Sequence, residues 1–400
     1  MPNQQNNQTT GQPNLESHST QTHEHHHHHH HHRNKVVRRV VIVLCVLLGI
    51  AAIAAASGYM VFHHYYSLMD HGTEDEAVTS SQAFVPMAPE EVSAAEDEND
   101  NEVSVAPATE EEVNKIEDDL RKNLEEMETA SDLYSTDAFN ILLIGVDSRA
   151  NEFSGRSDAM ILVSINKTTK KVVMTSFLRD IYCSIPGYEN TRLNHSYAYG
   201  GTELLTATIK ANFGITVDRC LVVNFYLVMD LVDAVGGIDL DLTADEIGYM
   251  NSYINSHNRL LGNPSGTDII PVQDVENLHV NGNQALAYAR VRYVGTDFAR
   301  TGRQRTVITK VLEKIKKMSL GSINNLATEF LPRVSTDLTE GDCATLLLMA
   351  LSLGDYQIEN LTVPVDGTWQ YANIRGMSVI SVDFGANARA WHAAVEGSAD

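Results

Sequence analysis

From Val40 to Phe62 the chain runs for 23 residues without a charged side chain. A helix of that length crosses a hydrocarbon core of about 30 Å. A secretory signal has a shorter apolar region and a small-residue cleavage site; Ala54-Ala-Ala-Ser57 keeps cleavage open, but the length favours an uncleaved anchor. Arg33, Lys35, Arg38 and Arg39 precede the run and the residues after it are acidic. The excess of cations on one side predicts a single-pass protein of the cell membrane, with residues 1–39 cytoplasmic and everything from residue 63 on outside.

That topology divides the chain. Residues 1–39 are mostly Gln, Asn, Thr, Ser and His, a predicted disordered tail. The run His25 to His32 suits Zn or Ni, is tag-like, or is a natural solvated tract, and no function is assigned to it. Residues 63–136 read as an acidic stalk: 70–110 are rich in Glu, Asp, Ala and Ser, with Pro86, Pro89 and Pro107, a self-repelling linker. Val113, Ile116, Leu120, Leu124 and Met127 then predict an amphipathic helix over Glu110–Thr129, lying on the next domain rather than forming a coiled coil of two heptads. The formal net charge of −23 is therefore mostly stalk and says little about a ligand.

Residues 137–400 suffice for one large α/β domain. Phe139–Val146, Ala159–Ile165 and Lys171–Phe177 are near-continuous apolar runs, the last two separated by the polar gap Asn166–Lys170, and so predict buried strands. If they pair as an antiparallel meander, Asp147, Arg156, Asp158, Arg179 and Asp180 fall along one edge of the sheet, where a rigid scaffold holds loops out in solvent. Two facing carboxylates repel unless one is protonated or a cation lies between them, and Mg²⁺ commonly takes one or two carboxylates plus phosphate oxygens. Strand-end capping accounts for either Asp147 or Asp158 alone, less easily for both among charges of opposite sign.

Thr202 predicts a helix through Phe213, Val217–Phe225 a strand, and Leu227–Val235 a helix closed by Gly236-Gly237. Cys183 and Cys220 lie where a disulfide survives, but spacing alone does not pair them. Residues 319–400 hold further α/β pattern that completes the same domain.

Five arginines, Arg290, Arg292, Arg300, Arg303 and Arg305, fall within sixteen residues of an otherwise acidic chain. Arg290 and Arg292, two apart, share a side of an extended segment. Arg300 and Arg303 share the first turn of a helix continued by Val307, Ile308, Val311 and Leu312. Cations crowd unfavourably at a helix N-terminus unless an anion sits among them. A solvated basic face is the alternative.

The series Asn140-Ile-Leu-Leu-Ile-Gly-Val-Asp-Ser-Arg149, Arg156-Ser-Asp158, Ser176-Phe-Leu-Arg-Asp180, Arg192-Leu-Asn194, Tyr199-Gly-Gly201, Val235-Gly-Gly-Ile-Asp239, Ala285–Arg292 and Asp297…Arg300…Arg303-Gln304 resembles the LytR–CpsA–Psr family, in order over roughly 138–318. The resemblance implies an α-β-α sandwich carried on the N-terminal transmembrane helix, with a long apolar pocket for a polyprenyl chain, in a Gram-positive-type envelope. It implies an enzyme that moves a glycopolymer from its undecaprenyl-pyrophosphate carrier to peptidoglycan through a phosphodiester. On the same basis Asp147 and Asp158 are expected as Mg²⁺ ligands. Arg156, Arg179, Arg192, Arg290, Arg292, Arg300, Arg303 and Gln304 are expected to hold the pyrophosphate. Arg156, Arg179, Arg290 and Arg292 are also counted as catalytic, with Asp180 and Asp297; the general base is Asp297, Asp180 or a phosphate oxygen of the substrate. Charge neutralisation and positioning suffice for phosphoryl transfer, and no side chain stands out as a covalent nucleophile. A polyprenyl-pyrophosphate phosphatase and a non-catalytic binder of wall polymer or lipid remain as alternatives. No helix-turn-helix is visible and the basic cluster is expected outside the membrane, so nucleic acid is not an expected partner.

Overall fold

The three apolar runs pair as the meander the sequence predicts. β1 (Phe139–Val146), β2 (Ser157–Asn166) and β3 (Lys171–Phe177) are antiparallel neighbours, with Leu142 opposite Leu162 and Val163 opposite Met174. The computed structural model describes residues 57–71, 84–94, 105–130, 136–147, 153–292, 294, 296–350 and 356–397. The chain divides into two units, residues 1–60 and 61–400, and the sheet with the helices that cover it belongs to the second. Among the described residues no helix is long and apolar enough to cross a membrane. Residues 40–56 of the expected span, and the tail with His25 to His32, lie outside the described residues.

After two-residue strands β4 (Tyr182–Cys183) and β5 (Thr191–Arg192) comes β6 (Arg219–Asn224), parallel to β1. A small ladder of β7 (Ile238–Leu242) and β8 (Val275–Val280) stands apart. β9 (Ser335–Thr336) and β10 (Gln357–Val363) close the two edges of the main sheet, in the order β10-β3-β2-β1-β6-β9. Residues beyond 319 thus supply both edges of the main sheet and a separate hairpin of β11 (Trp369–Ile374) and β12 (Met377–Val382), followed by a C-terminal helix.

Both faces of the sheet are covered, which is why its strands read as continuous apolar runs rather than alternating ones. Leu142, Ile144, Leu162 and Val173 face a core closed by helices α1 (Glu110–Ala130) and α2 (Leu193–Phe213) and by the C-terminal helix Phe384–Glu396. On the other face lie α3 (Phe225–Ala234), α4 (Ala244–Leu261), α5 (Gly282–Arg290) and α6 (Asp297–Ile315), which share a second core around Val232, Ile247, Ile254 and Val307. α7 (Leu320–Phe330) packs on α3, and α8 (Glu340–Ala350) is tied to β6 through Asp342 Oδ2, 2.6 Å from Arg219 Nε; Phe384–Glu396 is α9.

Three local expectations change and one question left open is answered. The segment read as linker contributes Phe84, Met87 and Val92 to the first core, and Met87 N–H donates to Ala198 O at 2.9 Å. Its apolar residues are few but spaced to pack, and α1 lies on the domain through Ile116 and Leu120. The helix expected from Thr202 begins earlier, at Leu193, and breaks at Gly200 and Gly201. Gly201 takes φ +62°, with the Phe84 ring 3.3 Å from where a Cβ would sit. Arg290 ends a helix instead of lying in an extended segment, because Asn281 and Gln284 form a capping box that starts α5 early. Cys183 and Cys220 are buried free thiols.

Candidate active site

β1 ends at Val146 and β2 begins at Ser157, so Asp147 and Asp158 emerge at the same sheet edge. Arg179 and Asp180 follow the end of β3. One pocket at this edge is lined by Asp147, Arg156, Asp158, Arg179, Arg290, Arg292, Arg300 and Gln304, with Phe225, Tyr253 and Ala289. Five guanidinium groups and two carboxylates therefore face one space, an excess of positive charge that suits a polyanion.

The carboxylates organise the arginines. Arg179 Nη1 lies 2.8 Å from Asp158 Oδ1, and Arg290 Nη2 lies 2.9 Å from Asp147 Oδ2. Burial would raise the Asp158 carboxyl, but Arg179, Arg292 and Arg300 together outweigh it and hold Asp158 ionised, far below the usual carboxylate range. Burial acts likewise on Asp180, where Arg179 and Arg192 leave it at about 2. Arg300 is only 3% exposed and its own carboxylate partner is Asp297, 3.2 Å away at the first turn of α6. Its Nε and Nη1, and Gln304 Oε1, have no hydrogen-bond partner among the described residues. Buried, unpartnered guanidinium N–H groups are costly unless a ligand accepts from them.

Two predicted contacts sit elsewhere. Arg192 donates from Nε and Nη2 to Ser378 O, at 3.1 and 2.8 Å, tying β5 to the C-terminal hairpin, with Asp180 Oδ1 3.5 Å from Nε. Arg303 Nε meets Glu246 Oε1 at 2.9 Å, while its Nη1 and Nη2 donate to Val291 O and Val294 O. Neither lines the pocket. They hold the backbone on which Arg292 and Asp180 are displayed. Arg305 turns to Ser176 Oγ and to Thr362 Oγ1.

Sequence reasoning missed the box around Arg290. Phe225 and Tyr253 present their rings to its guanidinium, with centroids 6.0 and 5.6 Å from Cζ, and Nη1 lies 3.4 Å from Nε2 of buried His257. The other His257 nitrogen, Nδ1, is 2.9 Å from Asn283 Oδ1. Nδ1–H donating to Asn283 leaves Nε2 free to accept from Arg290. Burial, the largest influence, and the Arg290 charge push His257 down to about 4, so the ring stays neutral at physiological pH. The available signal was the i, i+4 spacing of Tyr253 and His257 on one helix face.

Beneath the arginines lies an apolar cavity of about 230 Å³ between the sheet and the helices, lined by Leu143, Ile161, Val228, Leu286 and Ile308 among others. Phe225, Ala289 and Gln304 line both spaces. Fold and site together define an α/β protein suited to an elongated amphiphile, anionic head in the pocket and apolar tail below it.

A profile of the LytR_cpsA_psr family matches residues 103–391, and the chain belongs to that family. It is similar to the polyisoprenyl-teichoic acid–peptidoglycan teichoic acid transferase TagU of Bacillus cereus, 33% identical over 205 residues that cover 50% of this chain and 60% of that protein. Biofilm regulatory protein A of Streptococcus mutans is 36% identical over 199 residues, 46% of each chain. The chain thus spans less than two thirds of either relative's length. The crystal structure of a Streptococcus agalactiae protein is similar over 67% of this chain and 89% of that one, 29% identical with a TM-score of 0.51.

Proposed function

We propose that this chain is a membrane-anchored transferase that moves a glycopolymer from a polyprenyl-pyrophosphate carrier, undecaprenyl in the cell, to peptidoglycan. The observation that carries this reading is the continuity of the arginine pocket with the apolar cavity through Phe225, Ala289 and Gln304. The TagU name supplies the chemistry of the transfer. The proposed anchor, residues 40–62, confines enzyme and lipid-linked donor to one plane.

In this mechanism the arginines bind both phosphates and neutralise the charge that builds on their oxygens. Planar, permanently charged guanidinium groups suit bidentate contacts to phosphate. The oxygen of an acceptor sugar hydroxyl attacks the phosphorus bound to the glycan. The bond from that phosphorus to the bridging oxygen breaks, and polyprenyl phosphate leaves. Asp180, held at about 2 by its arginines, is a poor proton acceptor. Asp297, 20% exposed and paired with Arg300, is the better candidate to take the hydroxyl proton.

Mg²⁺ belongs to the proposal. Asp147 and Asp158 are hard oxygen donors facing one pocket, and Asp158 is kept ionised. Among the described residues no third carboxylate, histidine or cysteine groups with them, so phosphate oxygens and water would complete the shell, as Mg²⁺ commonly accepts. When bound, the ion would add charge neutralisation at the phosphates.

The test uses the full chain in detergent with a short-chain polyprenyl-pyrophosphoryl glycan, a peptidoglycan oligomer and Mg²⁺, products read by mass spectrometry. Glycan joined to the oligomer through phosphate, lost in Asp158→Asn and Arg290→Ala, is expected. Free glycan phosphate alone would mean a phosphatase. Binding without turnover would favour a regulator, as the S. mutans relative is named.

A further inference from the structure

Beside the pocket, on the side of Asp297 and Asp180, three partly exposed aromatic rings meet. Phe298 follows Asp297 on α6, and its ring centroid lies 5.0 Å from that of Trp369, with the planes 34° apart. Trp369 and Tyr371 are edge-on at 5.0 Å. Two apart on β11, they share a face at the margin of the first core, half-buried, while Ala372 and Ile374 point the other way and are buried. The hairpin is tied to the pocket by its backbone: Ile380, opposite Tyr371 in the ladder, donates its N–H to Asp180 O at 2.9 Å. Burial first, then the Asp297 and Asp180 charges, raise the Tyr371 phenol, which places the ring near both carboxylates.

We propose that Phe298, Trp369 and Tyr371 form a platform for a pyranose ring of the acceptor glycan. The proposal rests on the transferase reading. A pyranose presents a face of C–H groups that lies against aromatic rings, and hydroxyls at its rim that donate to carboxylates. None of the three aromatics lines the apolar cavity, so they are not part of the tail's path. The neighbouring Asp297 and Asp180 repel a phosphate but accept hydrogen bonds from sugar hydroxyls. A ring seated here brings a hydroxyl to the carboxylate that is to take its proton.

The chain holds two tryptophans, Trp369 and Trp391, and Trp391 is buried in α9, so Trp369 is a native reporter. Full-length protein in detergent is titrated with a soluble peptidoglycan glycan fragment while indole emission is followed. A saturable change is expected, absent in Trp369→Phe. In turnover, Trp369→Ala and, separately, Tyr371→Leu should raise the half-saturating acceptor concentration roughly tenfold. Affinity for farnesyl pyrophosphate should stay unchanged, which also shows that the variants fold. The platform is overturned if acceptor half-saturation is unaltered while transfer proceeds, or if farnesyl pyrophosphate affinity falls instead. Saturable binding at Trp369 with no transfer from any donor overturns the transferase reading alone.

Discussion

Arg290 is positioned by an imidazole that must remain uncharged. Protonated His257 would place a cation 3.4 Å from the Arg290 guanidinium and leave Nε2 unable to accept. The folded state therefore holds His257 at about 4, below the 6.5 of a solvated ring. Between those values the unfolded chain binds the proton that the folded chain refuses. The stability conferred by the neutral ring is thus present above pH 6.5 and lost as pH falls towards 4, on the order of 3 kcal/mol. His257→Gln keeps a polar partner that does not titrate, and is expected to flatten urea-midpoint stability across this window. An unchanged slope would show that other groups set it. Asp180 acts at lower pH: its depressed carboxyl supports the fold above about 4 and ceases to as pH drops through 2. Asp147 and Asp158 were legible in the sequence because strand ends are set by local apolar runs. His257 was not, because it meets a residue 33 positions away across two helices.

At the scale of elements, α5 carries Arg290 at one end and is wedged against α3 at the other. A Cβ on Gly282 would lie 2.1 Å from Met229 O, and Gly282 N–H donates to Asp233 Oδ1 at 2.7 Å. The glycine is required here for close approach of two backbones, not for its φ. Gly282→Ala is expected to lower stability by about 1–3 kcal/mol through overpacking. It should also weaken pyrophosphate binding, although no group that touches the ligand has changed. Gly248→Ala, on an open face of α4 with nothing within 4 Å, is the control and should be neutral or slightly stabilising. Calorimetric melts and pyrophosphate titrations of both variants check this. The same helix shows why Arg290-Val-Arg292 reads as extended from its own residues and is not. The arginines alternate, but Asn281 and Gln284 commit the preceding residues to a helix. Both arginines still reach the pocket, since the chain leaves the helix between them at Val291, whose carbonyl is gripped by Arg303.

Across the whole molecule, the two faces of the sheet are treated differently. One is closed by packing, with Leu142, Ile144, Leu162 and Phe177 almost wholly buried. The other keeps an apolar cavity under α3, α5 and α6. Both faces look alike in sequence, because the side chains lining a cavity are as apolar as those filling a core. The buried strands of an α/β domain were therefore readable from the runs of Val, Ile and Leu, whereas the α-β-α layering and the cavity were foreseen only through family resemblance. Ile308 lines the cavity from α6, among side chains that are apolar except for Gln304 at the mouth. Ile308→Trp extends into existing space, so the fold should be retained with an unchanged or raised melting temperature. The tail of a long polyprenyl pyrophosphate then has no room, and its affinity should fall tenfold or more. Inorganic pyrophosphate needs only the arginines and should bind as before. Equal loss for both ligands would instead mean that the substitution had displaced α6 and Arg300 with it. No loss for either would place the tail outside this cavity and remove the observation on which the transferase reading stands.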